Sequence, residues 1–348
     1  MIDSELIFKS IQVKQEGQKR TKLQNVLDQL KKDWMIYAMI IPVIVFFYLF
    51  RYRPIGSILV AFKRTEDPGM AIESRYFLGL FNFKAIMFGD FANRFWRAFR
   101  NTFTISGYGL FFGFPIPIVI ALMFSEIKSS GFRAVTQIIS YLPKFISTVV
   151  ITLILSMMLL SPTPGLAQGF LNKFLVSINV IKPNVNVLFD TSKYFRSIYI
   201  LSGMWEGSGY GSIVYFAAIM AINPTNYEAA KIDGANKLDQ IRHVTFPGMA
   251  PTLTIMLILR IGEILTVGYE KILLLTNFQV GPVQETAEVI STFVINLSGM
   301  AGVAGGGGAG SFGIGYAAAA DLFNSVIAML LVLGANYVSK KVSSTSLF

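Results

Sequence analysis

The chain has 348 residues, 53% of them hydrophobic and 14% charged, with a net charge of +10, no cysteine and a single histidine. That apolar excess excludes an ordinary soluble domain and fits a polytopic membrane protein. The lack of cysteine excludes disulfides and thiol catalysis, and His243 alone cannot build a histidine metal cluster or a catalytic triad.

In chain order, residues 1–33 are polar and lysine-rich, with no apolar run of the kind that opens a cleaved signal peptide. A first span is expected over 34–50, with Trp34 as an interfacial anchor. Residues 51–95 read as a loop with a turn at Asp67, Pro68 and Gly69, and 91–100 (FANRFWRAFR) as an interfacial helix. A second span, 102–124, contains Pro115 and Pro117, so neighbouring helices must satisfy the backbone groups freed there. The third, 134–160, is interrupted at Pro143 and Lys144, and a loop follows over 161–195. A fourth covers 197–222 and a fifth 249–275. The loop 277–311 ends in a glycine-alanine run over 301–310, which lacks the lysine and the preceding strand of a phosphate loop. The last span is 312–338, followed by a tail over 339–348. The fold class expected is all-α, with one transmembrane domain over 34–338, six spans and both termini on one side. The positive charge is then the flanking charge of those spans, since no nucleic-acid-binding motif accompanies it.

Between the fourth and fifth spans lies the longest strongly polar interruption of the C-terminal half, 223–251 (NPTNYEAAKIDGANKLDQIRHVTFPGMAP). It reads as two short helices with a break. Asn223 or Thr225 can cap the first, Thr225 and Glu228 have capping-box spacing, and Pro224 suits a first turn. Gly234 can end that helix, Asn236 can restart the chain, and Pro247 can prepare the next span.

Glu228-Ala229-Ala230, three residues, Gly234, nine residues and then Val244-Thr245-Phe246-Pro247 resemble the EAA signature of ABC-importer permease subunits. Arg100-Asn101-Thr102, 112–117, Tyr141-Leu142-Pro143, Ser161-Pro162, Tyr227 and 286–293 resemble the oligosaccharide and polysaccharide subfamily, and most of all its bacterial alginate-importer permeases. The likeness extends over roughly 95–340 and departs from the family pattern at 302–310.

The resemblance implies a type I ABC-importer permease fold in a bacterial inner membrane, with both termini cytoplasmic. It implies a cytoplasmic coupling element over 223–247, in which Tyr227, Glu228, Ala229, Ala230, Asp233, Gly234, Ala235 and Pro247 dock on an ATPase subunit. Two ATPase subunits carrying MgATP, a homologous second permease and an extracytoplasmic solute-binding protein are the implied partners, beside membrane lipid. The chain itself has no Walker A pattern and is expected to hold no cofactor or metal and to catalyse no reaction. Read from the residues alone, Glu228 can equally complete the capping box or pair with Lys231.

Ionisable residues inside spans mark a path or a partner contact. Arg260, Glu263, Glu270 and Lys271 fall along one stripe if the fifth span is a continuous helix, and Lys144 and Glu206 lie in the third and fourth. They can line a sugar path, with Lys144, Arg260 and Lys271 as counter-charges to uronates, or form internal salt bridges such as Arg260 with Glu263. Trp205, Tyr210, Tyr215 and Tyr269 offer rings for sugar stacking or for membrane packing, and the WEGSGYG run leaves room beside the backbone. The rival reading is an ion- or proton-coupled secondary sugar carrier using Glu263, Glu270 or Asp321 as its proton site.

Overall fold

The computed structural model describes residues 31–63, 76–162, 167–278, 281–298 and 313–342. The turn at Asp67, the glycine-alanine run 301–310, most of the N-terminal segment and the end of the tail lie outside these residues. The chain divides into two units, Met1–Ile58 and Leu59–Phe348.

In the first unit α1 runs Trp34–Phe47, with Asp33 accepting at its start from the Ile36 and Tyr37 amides. It is apolar on every side, the composition of a helix whose solvent is lipid.

The second unit is helical. Among the described residues the β-structure is an isolated bridge between Lys63 and Phe77. Its helices are α2 (Phe81–Phe88), α3 (Ala92–Gly113), α4 (Pro115–Glu126), α5 (Ser130–Tyr141), α6 (Thr148–Met158), α7 (Phe170–Ser177) and α8 (Phe195–Met220). After these come α9 (Pro224–Ile232), α10 (Lys237–Gln240), α11 (Phe246–Gly262), α12 (Tyr269–Leu275), α13 (Gln284–Ala287), α14 (Ile290–Ser298) and α15 (Ile314–Val342).

Among the described residues, length and apolarity mark four segments able to cross a membrane: Trp34–Phe62, Ala92–Glu126, Lys237–Gly262 and Ile314–Lys341. A fifth is the pair Ser130–Phe145 and Thr148–Met158, if the two halves, bent by 92°, form one span. The six-span expectation adds α8. Its 26 residues give about 39 Å of helix, enough to cross, but Arg196, Glu206 and several serines and glycines dilute its apolarity.

Among the described residues three apolar clusters organise this unit. One joins Ile105 of α3, Phe195 of α8 and Ile272 of α12 to Leu188 and Val283 in the connecting segments. A second packs Phe95 and Ala98 of α3 with Ile86, Phe293 and Ala317, Ala319 and Ala320 of α15. The third joins α4, α8 and α11 through Ile118, Ala121, Tyr215, Ile219 and Met249. Small residues bring helices together: a Cβ at Gly209 of α8 would strike the Ser140 carbonyl of α5.

Three expectations need correcting. The fifth span does not run on to residue 275: α11 ends at Gly262 and α12 starts at Tyr269. The carbonyls freed by this break find partners elsewhere, Leu265 accepting from Asn324 Nδ2 at 3.0 Å and Val267 from Ser291 Oγ at 2.6 Å. Arg260, Glu263, Glu270 and Lys271 therefore do not share one continuous helical stripe. The segment 91–100 is not a separate interfacial helix but the first turns of α3, with Phe95 fully buried. Finally, the last helix continues past 338, so Lys340 and Lys341 stand in its final turn, where positive charge complements the helix dipole.

Candidate functional site

The polar element folds as its caps dictate. Asn223 Oδ1 accepts from the Thr225 amide at 3.0 Å and Pro224 fills the first turn of α9. Thr225 and Glu228 form no capping box; the box is made by Asn236 and Asp239 at the start of α10. Asn236 Oδ1 accepts from the Leu238 and Asp239 amides, and Asp239 Oδ2 accepts from the Asn236 amide at 3.2 Å. Gly234 takes φ +82°, the left-handed conformation that glycine adopts without a steric penalty. Its amide donates to Lys231 and the Ala235 amide to Ala230, the paired bonds of a Schellman termination.

Tertiary bonds fix this element to the membrane helices. Tyr227 Oη lies 3.1 Å from Thr245 Oγ1, Gln240 Nε2 donates to the Ala235 carbonyl, and Lys237 Nζ is 2.6 Å from Glu126 Oε2 at the end of α4. Pro247 stands in the first turn of α11. With those groups engaged inward, Glu228, Ala229, Asp233 and Gly234 are exposed and Ala230 and Ala235 partly so. Among the described residues Glu228 has neither the Thr225 nor the Lys231 interaction that the sequence allows. Two residues escaped the sequence reading: Ile232 is 87% exposed and Leu238 75% exposed. Both are large aliphatic side chains held outward on a polar, well-capped element.

The second constellation lies between α3, α4, α8, the α5–α6 bend, α11 and α12. It is a cavity of about 420 Å³ walled by Lys144, Glu206, Arg260, Lys271, Tyr199 and Tyr210, with glycines at 109, 113, 203, 207 and 211. Three cations thus face one carboxylate. An adjoining space of about 250 Å³ shares Gly109, Tyr199 and Arg260 and is bordered by Glu263. The glycines supply the room: a Cβ at Gly109, Gly113 or Gly207 would meet no atom within 4 Å.

Each charge has a local cause. Lys144 sits in the 3₁₀ turn Leu142–Phe145 that Pro143 opens, where α5 ends and the chain bends by 92° into α6, itself capped by Ser147. Lys271 is carried by α12, which packs against α6 through a buried side that includes Ile272 and Leu275. Its Nζ donates to Glu206 Oε2 at 3.1 Å and stands 5.6 Å from the centre of the Tyr199 ring. Lys144 Nζ is 3.8 Å from Glu206 Oε1, and Arg260 is 3.7 Å from the exposed Glu263.

The structure therefore gathers Lys144, Glu206, Arg260, Lys271 and Tyr210 around one space and adds Tyr199, which spacing alone did not single out. A signal for Tyr199 exists, seven residues before Glu206 on the same helix, two turns apart. Other aromatic candidates fall elsewhere. Tyr215 is buried in the α4–α8–α11 cluster, edge-on to Phe114, and is a packing residue. Trp205 is exposed outside the cavity wall, as are Tyr269 and Glu270 at the start of α12.

A family profile described as binding-protein-dependent transport system inner membrane component matches residues 113–342. The chain is 30% identical over 319 residues to Protein LplB of Bacillus subtilis (strain 168), covering 92% of both chains. It is 32% identical over 330 residues, 95% of both chains, to the polygalacturonan/rhamnogalacturonan transport system permease protein YteP of the same organism. Among solved structures it matches a chain of a bacterial alginate ABC transporter in complex with an alginate pentasaccharide-bound periplasmic protein. That match has a TM-score of 0.76 and 36% identity over 92% of this chain and 99% of the other. A second crystal structure, of a bacterial ABC transporter involved in import of the acidic polysaccharide alginate, matches with a TM-score of 0.74 and 37% identity over 91% and 99%.

Proposed function

The chain belongs to the family of binding-protein-dependent transport system inner membrane components, and on that premise we propose that it is the permease of a carbohydrate ABC importer whose cargo is an acidic oligosaccharide. The observation that carries the cargo is the cavity, where three cations face one carboxylate among glycines. Glycines leave width for pyranose rings, Tyr210 offers an exposed ring, and Lys144 and Arg260, both about half exposed, can reach a saccharide carboxylate. Relatives named for polygalacturonan and alginate handle polymers of uronic acids, which agrees with that charge. No observation favours an ion-coupled carrier.

In this reading α9 and α10 face the cytoplasm and dock on an ATPase, Glu228, Ile232 and Leu238 being the contact side chains. Two ATPase subunits bind MgATP, a homologous second permease completes the path, and a solute-binding protein delivers cargo at the opposite face. ATPase closure pulls on the docked element, and the helices rock between outward and inward access.

Two outcomes are expected in proteoliposomes holding the transporter with its co-purified subunits. Lys144→Gln and Arg260→Gln should each raise the half-saturating concentration of a short alginate or galacturonate oligosaccharide about fivefold, the scale of one partly exposed ion pair. The carboxyl-reduced sugar should be unaffected, and equal behaviour of acidic and reduced sugars in the wild-type transporter would refute the acidic cargo. Gly207→Leu should leave the complex folded, since a Cβ there meets open space and leucine favours helix, yet slow uptake by filling the cavity. Normal uptake by Gly207→Leu would show that the path runs elsewhere.

A further inference from the structure

Glu206 has no evident use in binding an anion, and its presence on the wall of this cavity asks for a reason. Its side chain is 16% exposed, and its two oxygens are held differently. Oε2 takes the hydrogen bond of Lys271, whose own side chain is 11% exposed and whose ammonium also lies over Tyr199. That pair is enclosed and satisfied from several directions. Oε1 faces Lys144, but at 3.8 Å the two are beyond hydrogen-bond reach. Lys144 is 48% exposed and stands in a turn at a bend, where its long side chain can swing. It is a cation with an anion beside it and no bond to it.

We propose that Glu206 is an internal competitor for the cargo's carboxylate, holding Lys144 partly neutralised so that an acidic sugar binds this cation loosely enough to leave. The idea rests on the acidic-cargo reading above and goes further, because it gives Glu206 and Lys271 roles that binding does not require. A translocation site must bind well enough to admit its cargo and weakly enough to release it. A sugar carboxylate that reaches Lys144 arrives within a few ångströms of Glu206, and repulsion between the two anions offsets part of the attraction. Lys271 cannot serve the cargo in the same way. Leaving Glu206 would strand a poorly solvated carboxylate, so Lys271 is a positioning residue that keeps Glu206 pointed at Lys144.

Glu206→Gln separates this role from a structural one, since glutamine keeps the shape and can still accept from Lys271. Substrate-stimulated ATPase activity and uptake are measured on the reconstituted transporter with a short alginate oligosaccharide and with its carboxyl-reduced form. The half-saturating concentration of the acidic sugar should fall about fivefold while its maximal uptake rate also falls, as release becomes slow. The reduced sugar should show neither change, and adding Lys144→Gln to Glu206→Gln should cancel the gain. Unchanged or weaker binding of the acidic sugar by Glu206→Gln overturns the proposal. If Glu206→Gln does not assemble, the double variant Glu206→Ala/Lys271→Ala removes both enclosed charges and must show the same gain, its absence counting equally against the idea. Failure of the underlying reading is seen separately, in a wild-type transporter indifferent to the cargo's carboxylates.

Discussion

Gly234→Pro is expected to abolish substrate-stimulated ATP hydrolysis by the assembled transporter while leaving this chain in the membrane. The residue sits at φ +82°, and proline's ring fixes φ near roughly −65°. Proline also deletes the amide that donates to Lys231, so half of the pair of bonds closing α9 disappears. The chain must then leave α9 in another direction, moving the Asn236 cap and with it α10. Ile232 and Leu238 flank this turn, one on each side, and their exposed side chains would lose their relative placement. Gly234→Ala should give a graded version, because a left-handed alanine costs about 1–2 kcal/mol without removing the amide. Glu228→Ala, which leaves the turn alone, should weaken coupling through loss of the charge. The apolar spans lie outside the change, so insertion should persist, which membrane fractionation will check. Wild-type stimulation of the ATPase in Gly234→Pro would mean that α9 is not the docking element.

The success of the polar element in the sequence and the difficulty of the cavity have one physical origin. Caps, turn glycines and the Glu228-to-Pro247 spacing act over a few residues, so Asn223, Gly234 and Asn236 announce their roles locally. Even there the capping box expected at Thr225 and Glu228 is absent and stands instead at Asn236 and Asp239, because spacing does not say which carboxylate points back. Lys271 and Glu206 are 65 positions apart, and nothing in either segment names the other. The broken fifth span misled for a different reason. Residues 263–268 (EILTVG) are nearly as apolar as the helix before them, so hydropathy runs through the break. The break stands because Asn324 and Ser291, on α15 and α14, satisfy its carbonyls, and those partners are visible only once the chain is folded. Likewise the arginines in FANRFWRAFR suggest an interface. In the structure Arg94 and Arg97 bind Glu288, a carboxylate nearly two hundred positions away with 2% of its side chain exposed.

That same region carries the largest expected loss of stability, at Asn101. The residue is fully buried on α3, two turns from Arg94, and its amide does three things at once. Nδ2 donates to the Glu285 and Glu288 carbonyls, both at 2.9 Å, and Oδ1 accepts from Arg196 at 2.8 Å. The next residue extends the seam, Thr102 Oγ1 accepting from the Ile290 amide at 2.9 Å. One side chain thus ties α3 to the start of α8 and to the segment that leads into α14. Asn101→Leu keeps the branched shape of the side chain and removes every one of these bonds, leaving two carbonyls and part of a guanidinium without partners. At about 1–3 kcal/mol for each stranded group, several kcal/mol of stability should go. Asn101→Asp can keep the Arg196 contact, but it sets a carboxylate oxygen against both carbonyls in place of the donor, so it too should melt well below the wild type. Thermal unfolding of the detergent-purified protein, read by intrinsic fluorescence, orders the three. An Asn101→Leu protein that melts with the wild type would show that these bonds are replaced by water. The seam would then be a wet loop contact rather than the fixed joint that holds Glu288 between its two arginines.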